Sequence, residues 1–138
     1  MFHLAPKEGA LAGFTKAIER QQSLGHTSYL GVLKRHRPDP FPLTHGLDGW
    51  SIAMDFAVTP RKRESLWSAA NELARVVLGH GGRFYFAKDA VIGPRTVEAV
   101  FGDDKLAAFR ELKETLDPTG FFQTNLAFGD SGSFATAL

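Results

Sequence analysis

The clearest period in the chain runs from Gly49 to Val58, where Trp50, Ile52, Met54, Phe56 and Val58 alternate with Ser51, Ala53, Asp55 and Ala57. Large apolar residues alternating with small or acidic ones predict a strand. One face is set to pack on helices. The other is small-surfaced, as though something flat lies against it. A strand is also expected over Ser28–Arg35, with Leu30 and Val32 on one face and Tyr29, Gly31 and Leu33 on the other. The loop 37–48 between these strands holds Pro38, Pro40, Pro42 and Gly46, and is stiff and slightly long for a hairpin. A last strand is predicted over 83–88, after Gly81-Gly82.

Helical spacing fills the intervals. Leu11, Phe14 and Ile18 mark a helix between Pro6 and Gln22, with Gly25 placed to stop it. Thr59-Pro60 predicts an N-cap and first helical position, followed by the stripe Leu66, Ala70, Leu73 and Val77. The cluster Gly79-His80-Gly81-Gly82 ends that helix. Pro94–Phe101 predicts a short helix. Asp103 caps a further one, with the stripe Leu106, Phe109, Leu112 or Lys113, and Leu116, broken by Asp117-Pro118-Thr119-Gly120.

With Phe2–Ala5 as a short first strand, the order becomes β-α-β-β-α-β. The expected fold class is α+β, a ferredoxin-like antiparallel sheet with helices on one face, plus a C-terminal helical tail. Residues 1–92 form the sheet domain, its first strand short or supplied from elsewhere, and 93–138 form the tail. Such a fold alone names no function.

Composition narrows the classes. A net charge of +1 provides no field that implies nucleic acid or an anionic membrane. The absence of cysteine excludes disulfides, thiolate metal sites and thiol catalysis. His3, His26, His36, His45 and His80 show no metal-ligand spacing, so they read as loop or surface residues and no metal site is expected. No Gly-x-Ser-x-Gly elbow occurs, and Gly79–Gly82 lacks the lysine and hydroxyl of a phosphate loop. The basic clusters Lys34-Arg35-His36-Arg37 and Arg61-Lys62-Arg63 raise the possibility of single-stranded RNA on the sheet. Near-neutral charge and the missing glycine-aromatic RNA signature favour solvated element ends instead. No apolar run reaches the roughly 18–20 residues of a membrane span. Met1-Phe2-His3-Leu4-Ala5 has no basic flank of a signal peptide, so a cytoplasmic location is expected.

What remains is Lys88-Asp89, at the end of the aromatic run Phe84-Tyr85-Phe86. A lysine at the inner end of a buried strand needs a partner or a task. A surface Lys-Asp pair is the plain reading. The company it keeps argues for more. Three strings recur in order: Gly-Trp-x-Ile-x-x-Asp-Phe from Gly49, Gly-Gly-Arg-x-Tyr-x-Ala-Lys-Asp from Gly81, and Asp-Pro-x-Gly-x-Phe from Asp117. Over about residues 26–127 the chain resembles the C-terminal part of FAD-linked oxidoreductases of the vanillyl-alcohol oxidase superfamily. Within it, the likeness is to the decaprenylphosphoryl-ribose oxidase branch and the aldonolactone and alditol (sugar-alcohol) oxidase branches.

That resemblance implies a cap domain whose sheet roofs the flavin ring. It places Lys88 near the flavin and substrate as catalytic electrostatic stabiliser, and Tyr85 as a lining residue beside both. Ser51, Ala53 and Asp55 become the substrate-binding surface. In the ribose-oxidase branch the positions matching Ser51 and Ala53 are an asparagine and a cysteine, so the substrate contacts differ here. Strict alternation sets Tyr85 and Lys88 on opposite faces, so a bulge or strand end near Ala87 is required.

The FAD-binding domain of the family is expected before residue 1, or in another chain, and FAD is not expected on this chain alone. The implied substrate is a small-molecule alcohol, sugar or sugar lactone. Left without its partner domain, the chain is expected to form a homodimer through apolar surface that includes some of Phe84, Phe86, Phe121 and Phe122. The alternative is a free-standing ferredoxin-like module that binds a small ligand or dimerises through its sheet.

Overall fold

Strand β3 (Gly49–Asp55) lies at the centre of the sheet in a computed structural model that describes residues 2–88 and 93–122. On one side it pairs with β2 (Leu30–His36) and on the other with β1 (Phe2–Pro6), whose far edge takes β4 (Arg83–Phe84). All pairs are antiparallel and the order is β2-β3-β1-β4, the ferredoxin-like order. Helices α1 (Ala10–Ser23) and α2 (Arg63–Gly79) follow β1 and β3, while α3 (Pro94–Phe101) and α4 (Asp103–Leu116) form the tail. The expected α+β class is therefore observed, and β1 is a strand of this chain.

The register decides what each face carries. Ala5, Trp50 and Arg35 are opposite one another, so they share a face with Met54 and with Phe84, which pairs with His3. Ala5, Met54 and Phe84 are buried, and α1 and α2 cover them. Trp50 sits at the margin of that cover, 37% exposed beneath the Arg35 guanidinium, 5.8 Å from its ring. Lys34, His36, Ser51, Ala53 and Asp55 occupy the opposite face.

Several boundaries differ from the sequence pattern, each for a local reason. β3 stops at Asp55 because its last backbone groups are taken by the start of β2: Tyr29 N–H donates to the Asp55 carbonyl and Asp55 N–H to Ser28 Oγ, at 3.1 and 3.0 Å. Phe56 and Val58 therefore lie past the ladder. β4 covers two residues rather than six, after which Lys88 N–H donates to the Tyr85 carbonyl at 2.9 Å and the chain turns. α2 begins at Arg63; Pro60 opens a preceding turn closed by Lys62 N–H on the Thr59 carbonyl.

In α1 the buried positions are Ala10, Gly13, Ala17 and Gln21, not the expected Leu11, which is exposed. Small residues let α1 approach the end of α2, where a Cβ at Gly13 would meet His80 at 3.3 Å. Arg20 Nε donates to Glu72 Oε2 at 2.8 Å across the same helix pair. The α2 stripe is buried as expected and continues as Ala74, Val77, Phe84, Val97, Phe101 and Leu106, which joins the tail helices to the sheet domain. The α4 stripe is buried at Leu106 and half-buried at Phe109, while Leu112 and Leu116 are exposed.

Candidate functional site

The helix-free face is finished by the loop 37–48 rather than left open. Ser51, at the middle of β3, is fully buried, and its Oγ lies 2.7 Å from His36 Nε2 at the end of β2. His45, from the loop, stands edge-on to His36 with ring centroids 6.0 Å apart. The same ring meets Tyr85, centroid to centroid 4.5 Å. Side chains from β3, β2, the loop and the segment after β4 thus form one chain of contacts, Ser51–His36–His45–Tyr85.

The loop is fixed on both sides of His45. Arg83 Nη1 donates to the carbonyls of Thr44 and Gly46 at 3.4 and 3.3 Å. Asp39 accepts from Thr44 Oγ1 at 2.5 Å and from Phe41 N–H at 3.0 Å, and Thr44 Oγ1 accepts from Gly46 N–H at 2.8 Å. A Cβ at Gly46 would run into the Asp39 carboxylate, so a larger residue there displaces the side chain that holds Thr44.

Both imidazoles are held toward the neutral form. Burial is the main cause for His36, supported by the charges of His45, Lys34 and Arg35. For His45 burial outweighs the Asp39 carboxylate, which pulls the other way. Each neutral ring offers one donor and one acceptor, so Ser51 can donate to His36 Nε2 or accept from it.

Of the residues singled out from sequence, Ser51 and Tyr85 belong to this cluster, and Ser51 faces it through His36. Ala53 is half-buried two positions further along the same face. Asp55 is four positions from Ser51, about 13 Å away at roughly 3.3 Å per residue, toward the other end of the sheet. Lys88 is exposed, in the turn that begins at Tyr85. The strand ends before Tyr85, so alternation no longer forces Tyr85 and Lys88 to opposite faces. Asp89 falls outside the described residues.

His36 and His45 are the residues that sequence reasoning passed over. His36 could have been found from the register, because a β2 longer by one residue puts it on the face of Ser51. His45 carries no local signal, since a twelve-residue loop determines its place. The loop itself, through Pro38, Phe41 and Thr44, lines an open cleft of about 470 Å3 with Arg83 and Lys105, where Asp39 and Asp48 balance the two cations.

The glycine string is structural rather than a phosphate cradle. Gly81 and Gly82 donate to the Leu78 and Val77 carbonyls at 2.9 and 2.8 Å, closing α2, and a Cβ at Gly81 would meet Pro6 at 3.1 Å. Those donors are spent inside the chain and cannot serve a phosphate. The polar and ring groups on the helix-free face offer a surface that suits one edge of a flat ring. Among the described residues there is no group of three or more potential metal ligands, and no helix is long and apolar enough to cross a membrane.

Fold and site together define a ferredoxin-like sheet domain with one polar, ring-lined face. No family model matches the chain. Over 119 residues, 86% of its length, it is 31% identical to decaprenylphosphoryl-beta-D-ribose oxidase of Mycolicibacterium smegmatis, covering 25% of that protein. Over 111 residues, 80% of its length, it is 29% identical to an uncharacterized protein in the mprA 5′ region of Streptomyces coelicolor, covering 29% of that protein. The chain thus spans between a quarter and three tenths of the length of these relatives. The first match bears out the resemblance to FAD-linked oxidoreductases of the ribose-oxidase branch.

Proposed function

We propose that this chain is the substrate-cap part of an FAD-dependent oxidoreductase that acts on the CH–OH group of an alcohol, sugar or sugar lactone. An FAD-binding domain or subunit completes it, and the chain alone is inactive. The likeness of 119 residues to the ribose oxidase carries this reading, because it falls on a sheet domain with a polar helix-free face. We place the protein in the cytoplasm, as a homodimer when its partner domain is absent.

The flavin, when bound, supplies the hydride acceptor. Lys88 brings a compact positive charge with three donors, suited to an edge on which negative charge gathers. Tyr85 offers a ring and a phenol to the substrate. Ala53 leaves room for it. Ser51 acts by fixing His36, and Asp55 lies at the far end of the same face.

A second reading has one observation in its favour. The sheet is completed by β1 of the same chain, as a free-standing ligand-binding or dimerisation module requires.

The complete protein that carries this chain should be yellow, while the 138-residue chain alone stays colourless. One edge contact cannot offset a loss of translational and rotational freedom of order 4–15 kcal/mol. In the complete protein Lys88→Ala should slow flavin reduction about 10²–10³-fold with the fold intact. Unchanged reduction would remove Lys88 from the site. A complete protein without flavin would return the chain to the second reading.

A further inference from the structure

We propose that His45 is the positioning residue for Tyr85, and that through its edge contact with His36 it makes the place of the Tyr85 ring depend on the charge of the imidazole pair. The inference rests on the proposed oxidoreductase reading only in giving Tyr85 a functional role. Its physical basis is independent of any flavin.

Tyr85 stands where the sheet has stopped holding the chain. β4 ends at Phe84, and from Tyr85 the backbone enters a turn, so the ladder no longer fixes the ring. His45 meets that ring at 4.5 Å with the planes tilted by 52°. The imidazole is itself anchored: Arg83 holds the carbonyls of the residues on either side of it, and Asp39 holds Thr44. Behind His45 stands His36, tied to the fully buried Ser51 hydroxyl. A ring braced so firmly against another is built to set its position.

The same contacts make the arrangement sensitive to a proton. The charged and titratable groups that act on the pair are Lys34 and Arg35 on β2 and Asp39 in the loop, with Arg83 of β4 beside Asp39 and Tyr85 against His45. Cations outnumber carboxylates there. A proton on His45 turns a neutral ring contact into a cation facing an aromatic ring and repels any charge on His36, 6.0 Å away. The charge state of one ring therefore bears on that of the other.

The chain has two tyrosines, and Tyr29 is exposed near the start of β2, which provides an internal control. The test is a nuclear magnetic resonance titration of the full chain, labelled with 13C at the tyrosine rings, from about pH 8 to about pH 5. The Tyr85 signals should move with a midpoint below 6.5, the ordinary histidine value, while those of Tyr29 stay still. In His45→Phe the ring contact is kept without a titrating group, so Tyr85 should retain its dispersed shifts and lose the movement. In His45→Ala its signals should collapse toward those of Tyr29. A Tyr85 that ignores pH in the unsubstituted chain overturns the proposal. So does a pH response that survives in His45→Phe, or a Tyr85 unchanged in His45→Ala. None of these outcomes bears on flavin binding, which the complete protein tests separately.

Discussion

His36 Nε2 and Ser51 Oγ, 2.7 Å apart, join the end of an edge strand to the buried middle of its central neighbour. They are diagonal rather than directly opposite, since Ser51 pairs with Lys34 and His36 with Gly49. The bond is thus a side-chain clamp on the β2–β3 ladder at the point where the loop 37–48 departs.

Ser51→Ala removes that clamp and leaves a partly buried imidazole nitrogen without its hydroxyl. The expected cost is about 1–3 kcal/mol, the range for an orphaned buried polar group. Urea denaturation measures it as a lower midpoint at unchanged slope. A midpoint within experimental error of the unsubstituted chain would mean that water replaces the hydroxyl without loss.

The two imidazoles also give stability a defined pH dependence. Their folded-state pKa values are lowered, so the unfolded chain binds protons more readily than the folded one. Their contribution is complete above 6.5, the ordinary value, and is lost as pH falls through the lowered values. Asp39 and Asp117, both held below the ordinary 3.8, chiefly by the side-chain hydrogen bonds of Thr44 and Lys113 respectively, contribute stability that is lost only below that pH. Denaturant midpoints should therefore fall in two separate stages on acidification. The double variant His36→Phe, His45→Phe should lose the upper stage alone.

Gly49→Ala tests the first residue of the Gly-Trp string. A Cβ there would lie 2.0 Å from the Ala5 carbonyl oxygen, within the β1–β3 ladder. Backbone cannot give way as a side-chain tip can, so the strands must part. Destabilisation should exceed about 2 kcal/mol, toward the upper end of overpacking costs. A thermal melt that matches the unsubstituted chain would show that the ladder shifts freely.

The same string shows what was legible in the sequence. The alternation from Trp50 to Met54 gave β3 its place and its two faces, and the element order gave the ferredoxin-like topology. What could not be read was which face the loop would close. Ser51 looked like open pocket lining because it is small, yet a small residue also suits a site that a neighbour covers. The helix stripe at Leu11 misled for a related reason: close helix packing selects Ala10, Gly13 and Ala17 and turns the larger side chain outward. The lengths of β3 and β4 depended on partners distant in sequence, Tyr29 for one and β1 for the other. Asp117 was legible only as a helix breaker. It accepts from Phe121 and Phe122 N–H at 2.7 and 3.0 Å and from Lys113 Nζ at 2.7 Å, which explains the Asp-Pro-x-Gly-x-Phe string as a capped turn.

That turn also presents the surface on which self-association should depend. The expectation included Phe84 and Phe86 in an uncovered patch, but Phe84 is in the core and Phe86 packs on Phe101 at 5.2 Å. Among the described residues of the tail, the exposed large apolar groups are Phe121 and Phe122, 81% and 73% exposed, with Leu112 and Leu116 of α4. Phe121 and Phe122 meet edge-on at 5.2 Å, so they form a raised aromatic pair rather than scattered side chains. Apolar clusters of this kind find cover, and a two-fold copy is the commonest cover available. In the proposed complete enzyme the FAD-binding domain would provide that cover instead. Light scattering of the isolated chain at micromolar concentration should therefore show at least a dimer. The double variant Phe121→Ser, Phe122→Ser should return it to monomer without unfolding it, because neither ring contributes to the core. A chain that is monomeric at high concentration would count against a missing partner domain. A dimer that survives the double variant would move the interface to the exposed edge of β2, where Leu33 is uncovered and one row of backbone groups is unpaired in the sheet.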